Sequence, residues 1–341
     1  MGVQTRSKMR QHKSKRSDDS EQGLLSSPTK AEKSGFRDDF GSIALLVLLY
    51  LLQGVPLGLS MGSIPFLLKS KLNFGDLALF SLSAYPYSLK LLWSPIVDTI
   101  FFKAIGRRKS WILPMQFILG FCLFIVGGQI DSMLDQDNIP VMYLAIIFTG
   151  LVFLCATQDI AVDGWALELL TEENKTYAST AQTIGLNTGY FLSFTVFLAF
   201  NSHEFCNKYI RSIPSEAGLL SLGTYLQFWG VAFVVCNAFL VAFTSEKPAQ
   251  LHSEEIMEVY KTIWDVSAMP HMQTFIIVQM ICKIGFIANE AVTGLKLLEL
   301  GFNKEYLAMA VLIDFPFQLI FGYYAAKWSN SKNPLTPVFF K

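Results

Sequence analysis

ATQDIAVDGWALELL, residues 156–170, places Asp159 and Asp163 one helical turn apart in a stretch that is otherwise apolar enough, from Pro140 onward, to span a membrane. An ionised group at a bilayer centre costs roughly 2.5 to 3.5 kcal/mol on insertion scales. Two carboxylates at i and i+4 therefore imply a water-lined path, a buried partner or a gate. The pair points to a protein that moves a solute across a membrane.

The surrounding chain agrees. Its 341 residues are 52% hydrophobic, 14% aromatic and only 16% charged, with mean hydropathy +0.40, too apolar for an ordinary soluble domain. Apolar runs of spanning length lie near 43–66, 77–102, 111–130, 141–165, 179–200, 223–243, 273–295 and 305–326. The runs are continuous rather than alternating with period two, so they predict eight helices and not barrel strands. Lysine and arginine orient them. The tail carries Arg6, Lys8, Arg10, Lys13, Lys15 and Arg16, and the loop after the second run carries Lys103, Arg107, Arg108 and Lys109; both are placed in the cytosol. The next loop, residues 131–138, holds Asp131, Asp135 and Asp137 with no cation and suits the opposite side.

Residues 1–37 are rich in Ser, Lys, Arg and Glu and cannot bury a core, so a disordered basic cytosolic tail is expected. No apolar segment near Met1 reads as a cleavable signal, and Arg6 stands where a myristoylation motif needs Ser or Thr. The sequon at Asn174 falls on the cytosolic side and is expected to be unglycosylated. Cys122, Cys155, Cys236 and Cys282 lie in the apolar runs and Cys206 stands alone in a loop, so no disulfide is expected. His12, His203, His252 and His271 lack ligand spacing, and no intramembrane Ser-His-Asp set appears. Neither metal, cofactor, catalytic residue nor nucleic-acid partner is expected, and an acyltransferase reading lacks support.

Sliding the chain by 230 positions aligns 67–89 with 297–319 without a gap, and Tyr85-Pro86-Tyr87 falls on Phe315-Pro316-Phe317. The offset makes the eighth run the counterpart of the second, hence a six-helix repeat. Parallel six-helix repeats are the arrangement of the major facilitator fold. The expected fold class is thus an all-α polytopic membrane protein with a truncated major facilitator fold. Its parts are an N-terminal six-helix half (38–243), a cytosolic linker (244–272) and the first two helices of a second half (273–341). A fragment or short form is expected on this reading, and a non-transporting short form that pairs with a longer relative stays open, as does a homo-oligomer.

Several ionisable side chains sit at depth. Lys90, between Tyr85, Tyr87 and Trp93 in the second run, is a counter-charge for an anionic substrate or a neutraliser of Asp159. Lys283 and Glu290 share a face of the seventh run, and Asp314 lies in the eighth. Asp98 followed by GRRK at 106–109 approaches the facilitator signature G-x-x-x-D-[RK]-x-G-[RK]-[RK], with Ser94 in place of the leading Gly and seven residues before Gly106 instead of two. A gate of Asp98, Arg107, Arg108 and Asp163 is expected there. Gly54, Gly58 and Gly62 with Pro56 and Pro65, and Gly185 with Gly189, suit close helix packing. Residues 253–266, with Ile256, Val259, Tyr260 and Ile263 on one face, predict an amphipathic interfacial helix.

The segments LLQGVPLGL, SLKLLWSPIVD, GRRKSW, ATQDIAVDGWAL, YAST, CNKYIR, and KIGF followed by AVTGLKLLELG together resemble the acetyl-coenzyme A transporter family of the major facilitator superfamily, from about Phe36 onward. More distantly the chain is similar to bacterial muropeptide permeases. The resemblance implies twelve helices, residence in the endoplasmic reticulum membrane, and delivery of cytosolic acetyl-CoA to the lumen. Another bulky organic anion or a muropeptide-like solute is the alternative cargo. A multiply charged anion with an adenine ring needs cations and flat side chains. Lys90 and Lys283 are expected to meet phosphate, Tyr85, Tyr87, Trp93 and Trp165 to stack, and Asp159, Gln158 and Glu290 to line the path. Membrane lipid is the other expected partner.

Overall fold

Each apolar run becomes a helix because a helix satisfies its own backbone polar groups within one segment. The computed structural model describes residues 39–69, 71–136, 138–246, 256–302 and 304–329, and contains no strand among them. The basic tail, Asp137, and residues 247–255 within the expected linker lie outside the described residues.

The chain opens with α1 (Phe40–Lys69), which carries a π-helical turn at Leu59–Ser63. The second run is not one continuous helix, contrary to expectation. It is broken into α2 (Phe74–Ser81), α3 (Tyr85–Leu89) and α4 (Ser94–Thr99), joined by 3₁₀ turns at Leu82–Ala84 and Lys90–Leu92. The cause is local. Pro86 and Pro95 have no N–H to give and sit in the first turns of α3 and α4, where their fixed φ starts a helix rather than continuing one.

Next come α5 (Lys109–Gly127), the short α6 (Ile130–Leu134), α7 (Val141–Leu169) and α8 (Tyr177–Asn201), the last with a π-helical turn at Leu192–Val196. Then follow α9 (His203–Tyr209), α10 (Leu222–Phe243), α11 (Ile256–Ala268), α12 (Pro270–Glu299) and α13 (Lys304–Ser329). Among the described residues α1, α5, α7, α8 and α10 are long and apolar enough to cross a membrane, which accounts for five of the eight expected spans. The seventh and eighth runs are the continuous helices α12 and α13, with an apolar stretch at Ile313–Gly322.

Glycine decides how the long helices meet. Gly54 of α1 meets Gly189 of α8, while Gly185 lies against the α1 backbone at Val47 and Leu51, and a Cβ on Gly58 would lie 2.9 Å from the Tyr190 backbone. A second seam, not anticipated from spacing, joins α5 to α10. A Cβ on Gly127 would sit 2.7 Å from the Gly223 carbonyl, and one on Gly230 the same distance from that of Gly120. Where the two π-helical turns cross, the Ser63 hydroxyl donates to the Ser193 carbonyl, and the Ser193 and Tyr225 hydroxyls are 2.9 Å apart. Around these seams Tyr50, Phe80, Phe148, Phe197 and Phe233 are fully buried. Phe117, Phe121 and Phe124 on α5 and Val235, Val241 and Phe243 on α10 are exposed, as suits helices solvated by hydrocarbon.

Gly230→Val overpacks the α5–α10 seam, a cost of about 1–3 kcal/mol, and lowers the apparent Tm of the purified protein in detergent. Gly150→Ala, whose Cβ meets nothing within 4 Å, leaves Tm unchanged or raises it. Equal melting of Gly230→Val and the parent would mean that the seam does not form.

Candidate functional site

The break at Lys90–Leu92 puts Lys90 opposite α7 at the level of the acidic pair. Its ammonium donates to Asp159 Oδ2 and lies 3.3 Å from Asp163 Oδ2. Asp163 is held further by α1 and α8, since Oδ1 accepts from the Tyr50 hydroxyl and from Gln182 Nε2, each at 2.8 Å. Three segments, the broken span, α1 and α8, thus converge on one turn of α7. The cluster has a gradient of access: Asp159 is fully buried, whereas the side chains of Lys90 and Asp163 are 30% and 38% exposed. Two carboxylates share one ammonium, so with all three groups ionised the cluster carries one net negative charge, softened by the Tyr50 and Gln182 donors.

The aromatic residues divide. The Tyr87 ring centroid is 5.2 Å from the Lys90 ammonium. Trp93 donates through Nε1 to the Thr157 hydroxyl at 3.1 Å and packs on Phe153 at 4.9 Å, which ties the broken span to α7. Trp165 is 2% exposed and belongs to the core. Tyr85 is well exposed. Gln158 is fully buried, and neither of its amide atoms has a protein partner. Lys283 and Glu290 fall on α12 two turns apart, and their side chains lie outside the described residues.

A second cluster closes one end of these helices. Arg108, 8% exposed, donates through Nη1 to Asp98 at 2.5 Å and through Nε and Nη2 to Glu168 at 2.9 Å. It lies flat over Gly164, where any Cβ would collide with the guanidinium. Arg107 donates to the Asp98 carbonyl at 2.9 Å and sits 3.9 Å from its carboxylate. From beyond the end of α10, Glu246 accepts from the backbone N–H groups of Arg108 (2.9 Å) and Lys109 (3.0 Å), filling the N-terminus of α5 with a carboxylate. Gly106, at φ +109°, supplies the left-handed turn this requires. Lys109 in turn donates to the carbonyls of Leu240 and Thr244.

Asp98, Arg107 and Arg108 therefore come together as the signature reading expects, but Asp163 does not join them. It belongs with Lys90, and Glu168 is the α7 carboxylate on Arg108. The reason is pitch: Glu168 is five residues further along the helix, in its last turn. Sequence reading missed Glu168, Glu246, Tyr50 and Gln182. Tyr50 left a signal, being the one polar-tipped side chain between Ile43 and Leu52; Glu246 left none, since nothing local says that it reaches back to the loop before α5.

The chain matches the family described as acetyl-coenzyme A transporter 1 over residues 42–255 and 249–338. The chain belongs to this family. It is 43% identical to an uncharacterized membrane protein of Saccharomyces cerevisiae over 90% of its own length and 64% of the relative's. It is 46% identical to an uncharacterized protein of Schizosaccharomyces pombe over 85% of its own length and 55% of the relative's. An anhydromuropeptide permease of Escherichia coli is 26% identical over 44% of this chain and 30% of the permease. The chain thus spans between 55% and 64% of the two yeast relatives. No solved structure matches it. It is a polytopic helical membrane protein of a transporter family, and not of an enzyme family.

Removing Lys90 strands the buried Asp159. Lys90→Met is expected to destabilise the purified protein by about 3–5 kcal/mol, and Asp159→Asn in the same chain to restore most of the loss. Thermal melts of the two single variants and the double variant in detergent check this; strictly additive losses would mean that the two side chains do not share one site.

Proposed function

We propose that this chain carries the translocation pathway of a membrane carrier that moves acetyl-CoA from the cytosol into the lumen of the endoplasmic reticulum by alternating access. The observation that carries the reading is Lys90, a cation seated at depth on a fully buried carboxylate while its own side chain stays 30% exposed. The family to which the chain belongs supports the substrate.

The chemistry runs as follows. Acetyl-CoA brings phosphates that need a cation and an adenine that needs a flat face. Asp159, closed to solvent, keeps Lys90 charged and in place. Asp163 is the exchangeable partner, at the longer distance and more exposed. An incoming phosphate takes the Lys90 ammonium from Asp163, which retains the Tyr50 and Gln182 donors and so is not left bare. Tyr87 offers its ring beside the ammonium. Asp159 repels phosphate and acts only through Lys90.

Arg108 is the cytosolic latch. It bridges Asp98 at the end of the broken span to Glu168 at the end of α7, and these pairs separate when that side opens. The cations of the loop at 103–109 and of the N-terminal tail support a cytosolic side for both helix ends.

Uptake of radiolabelled acetyl-CoA into liposomes containing the purified protein tests the proposal. Lys90→Met is made in the Asp159→Asn background, so that no buried charge is stranded, and compared with Asp159→Asn alone. Uptake should fall at least tenfold on losing Lys90, a loss of about 1.4 kcal/mol or more in recognition of the charged cargo. Undiminished uptake would remove Lys90 from the pathway, and no uptake above empty liposomes by the parent would overturn the carrier reading for this chain.

A further inference from the structure

The helix expected to lie on the membrane through Ile256, Val259, Tyr260 and Ile263 uses that face for something else. In α11 those four residues and Ser267 are half-buried, turned toward the last turn of the broken span at α4. One hydrogen bond fixes the contact. Pro95 has no N–H to offer the Leu92 carbonyl, and Ile96 N–H donates to Trp93 instead (3.0 Å); the Tyr260 hydroxyl donates to Leu92 O at 2.6 Å.

At 100° per residue the rest of α11, apart from Val266 at the edge of the docked face, sorts into two further sectors. Glu258, Thr262 and Asp265 form an exposed polar face bearing both of the helix's carboxylates. Met257, Lys261, Trp264 and Ala268 form a separate exposed stripe, with Met257 74% and Trp264 75% exposed. A helix between protein and water needs two faces; this one has three. The third is apolar, carries a Trp and one long cation, and is free of acid. It sits on a helix held against α4 of the broken second span, and leads through Met269 into α12. Trp at the headgroup level and a Lys whose stem lies along apolar surface are the chemistry of a bilayer interface.

We infer that the Met257–Lys261–Trp264–Ala268 stripe of α11 is a bilayer-binding surface, seated in the headgroup boundary of the cytosolic leaflet while the Tyr260 face holds the broken second span. The occupant is lipid. The helix is then a rivet between the cytosolic end of α4 and the membrane plane, a role independent of which solute the protein carries.

The test uses the full chain in nanodiscs of ordinary or brominated phosphatidylcholine, comparing the parent with Trp264→Phe, which keeps an aromatic ring at the position. The fluorescence that Trp264→Phe removes, read as a difference spectrum, should be blue-shifted, lost in brominated lipid and insensitive to aqueous iodide. A contribution quenched by iodide and not by bromine would put the stripe in water and overturn the inference. A contribution quenched by neither would mean that protein covers the stripe, which overturns it as well. Thr262→Cys labelled with a polarity-sensitive dye should report water in the same nanodiscs; a lipid-like signal there would overturn the assignment of sectors.

Discussion

A fully buried carboxylate in a helical membrane bundle is the condition to which the rest of this structure answers. Asp159 has no route to water, so its charge persists only if a cation is delivered to it and kept there. An unbroken second span would present Lys90 from a regular helix with every backbone group already used. The 3₁₀ turn at Lys90–Leu92 instead turns the backbone at the residue that must reach α7, and Trp93, tied to Thr157 and Phe153, pins the turn to the same helix. The break and the charge pair are one arrangement: the prolines that cost the span its continuity position the cation that the carboxylate requires.

The cluster around Arg108 shows the same logic with different partners. Arg108 is almost buried, and its guanidinium is spread between carboxylates from the broken span and from α7 over a glycine that leaves it room. Glu246 then occupies the N–H groups that open α5, so the loop at 106–109 is gripped from beyond the end of α10. Three helix ends that are distant in the chain are tied at one basic turn. The cations of that turn are not free surface charges, since Arg107, Arg108 and Lys109 each have a partner.

Features that rest on composition over a whole segment were legible in the sequence. Runs 43–66, 111–130, 141–165, 179–200 and 223–243 each contain enough apolar residues to predict a spanning helix whatever their neighbours do, and the packing role of Gly54, Gly58, Gly185 and Gly189 follows from their four-residue spacing. The pairing of Lys90 with Asp159 was legible too, because a lysine and an aspartate at depth have few other partners. Pairings at helix ends were not. Asp163 and Glu168 both lie in the last third of α7, and how far along that helix the loop before α5 meets it decides which carboxylate reaches Arg108. The seam at Gly120, Gly127, Gly223 and Gly230 was missed because those glycines recur at seven-residue spacing on two different runs, so neither run alone signals a partner. The docked face of α11 was recognised as apolar but assigned to lipid, since a hydrophobic stripe does not say whether protein or membrane covers it.

The broken second span also bears on how the protein is made. Its longest helical piece, Phe74–Ser81, has 8 residues and rises only about 12 Å, well short of a hydrocarbon core of about 30 Å. No piece can hold itself across a bilayer as an isolated helix does. The residues that steady it, Thr157, Asp159 and Asp163 on α7, leave the ribosome more than sixty residues after Lys90. Synthesis order and structural dependence therefore run in opposite directions.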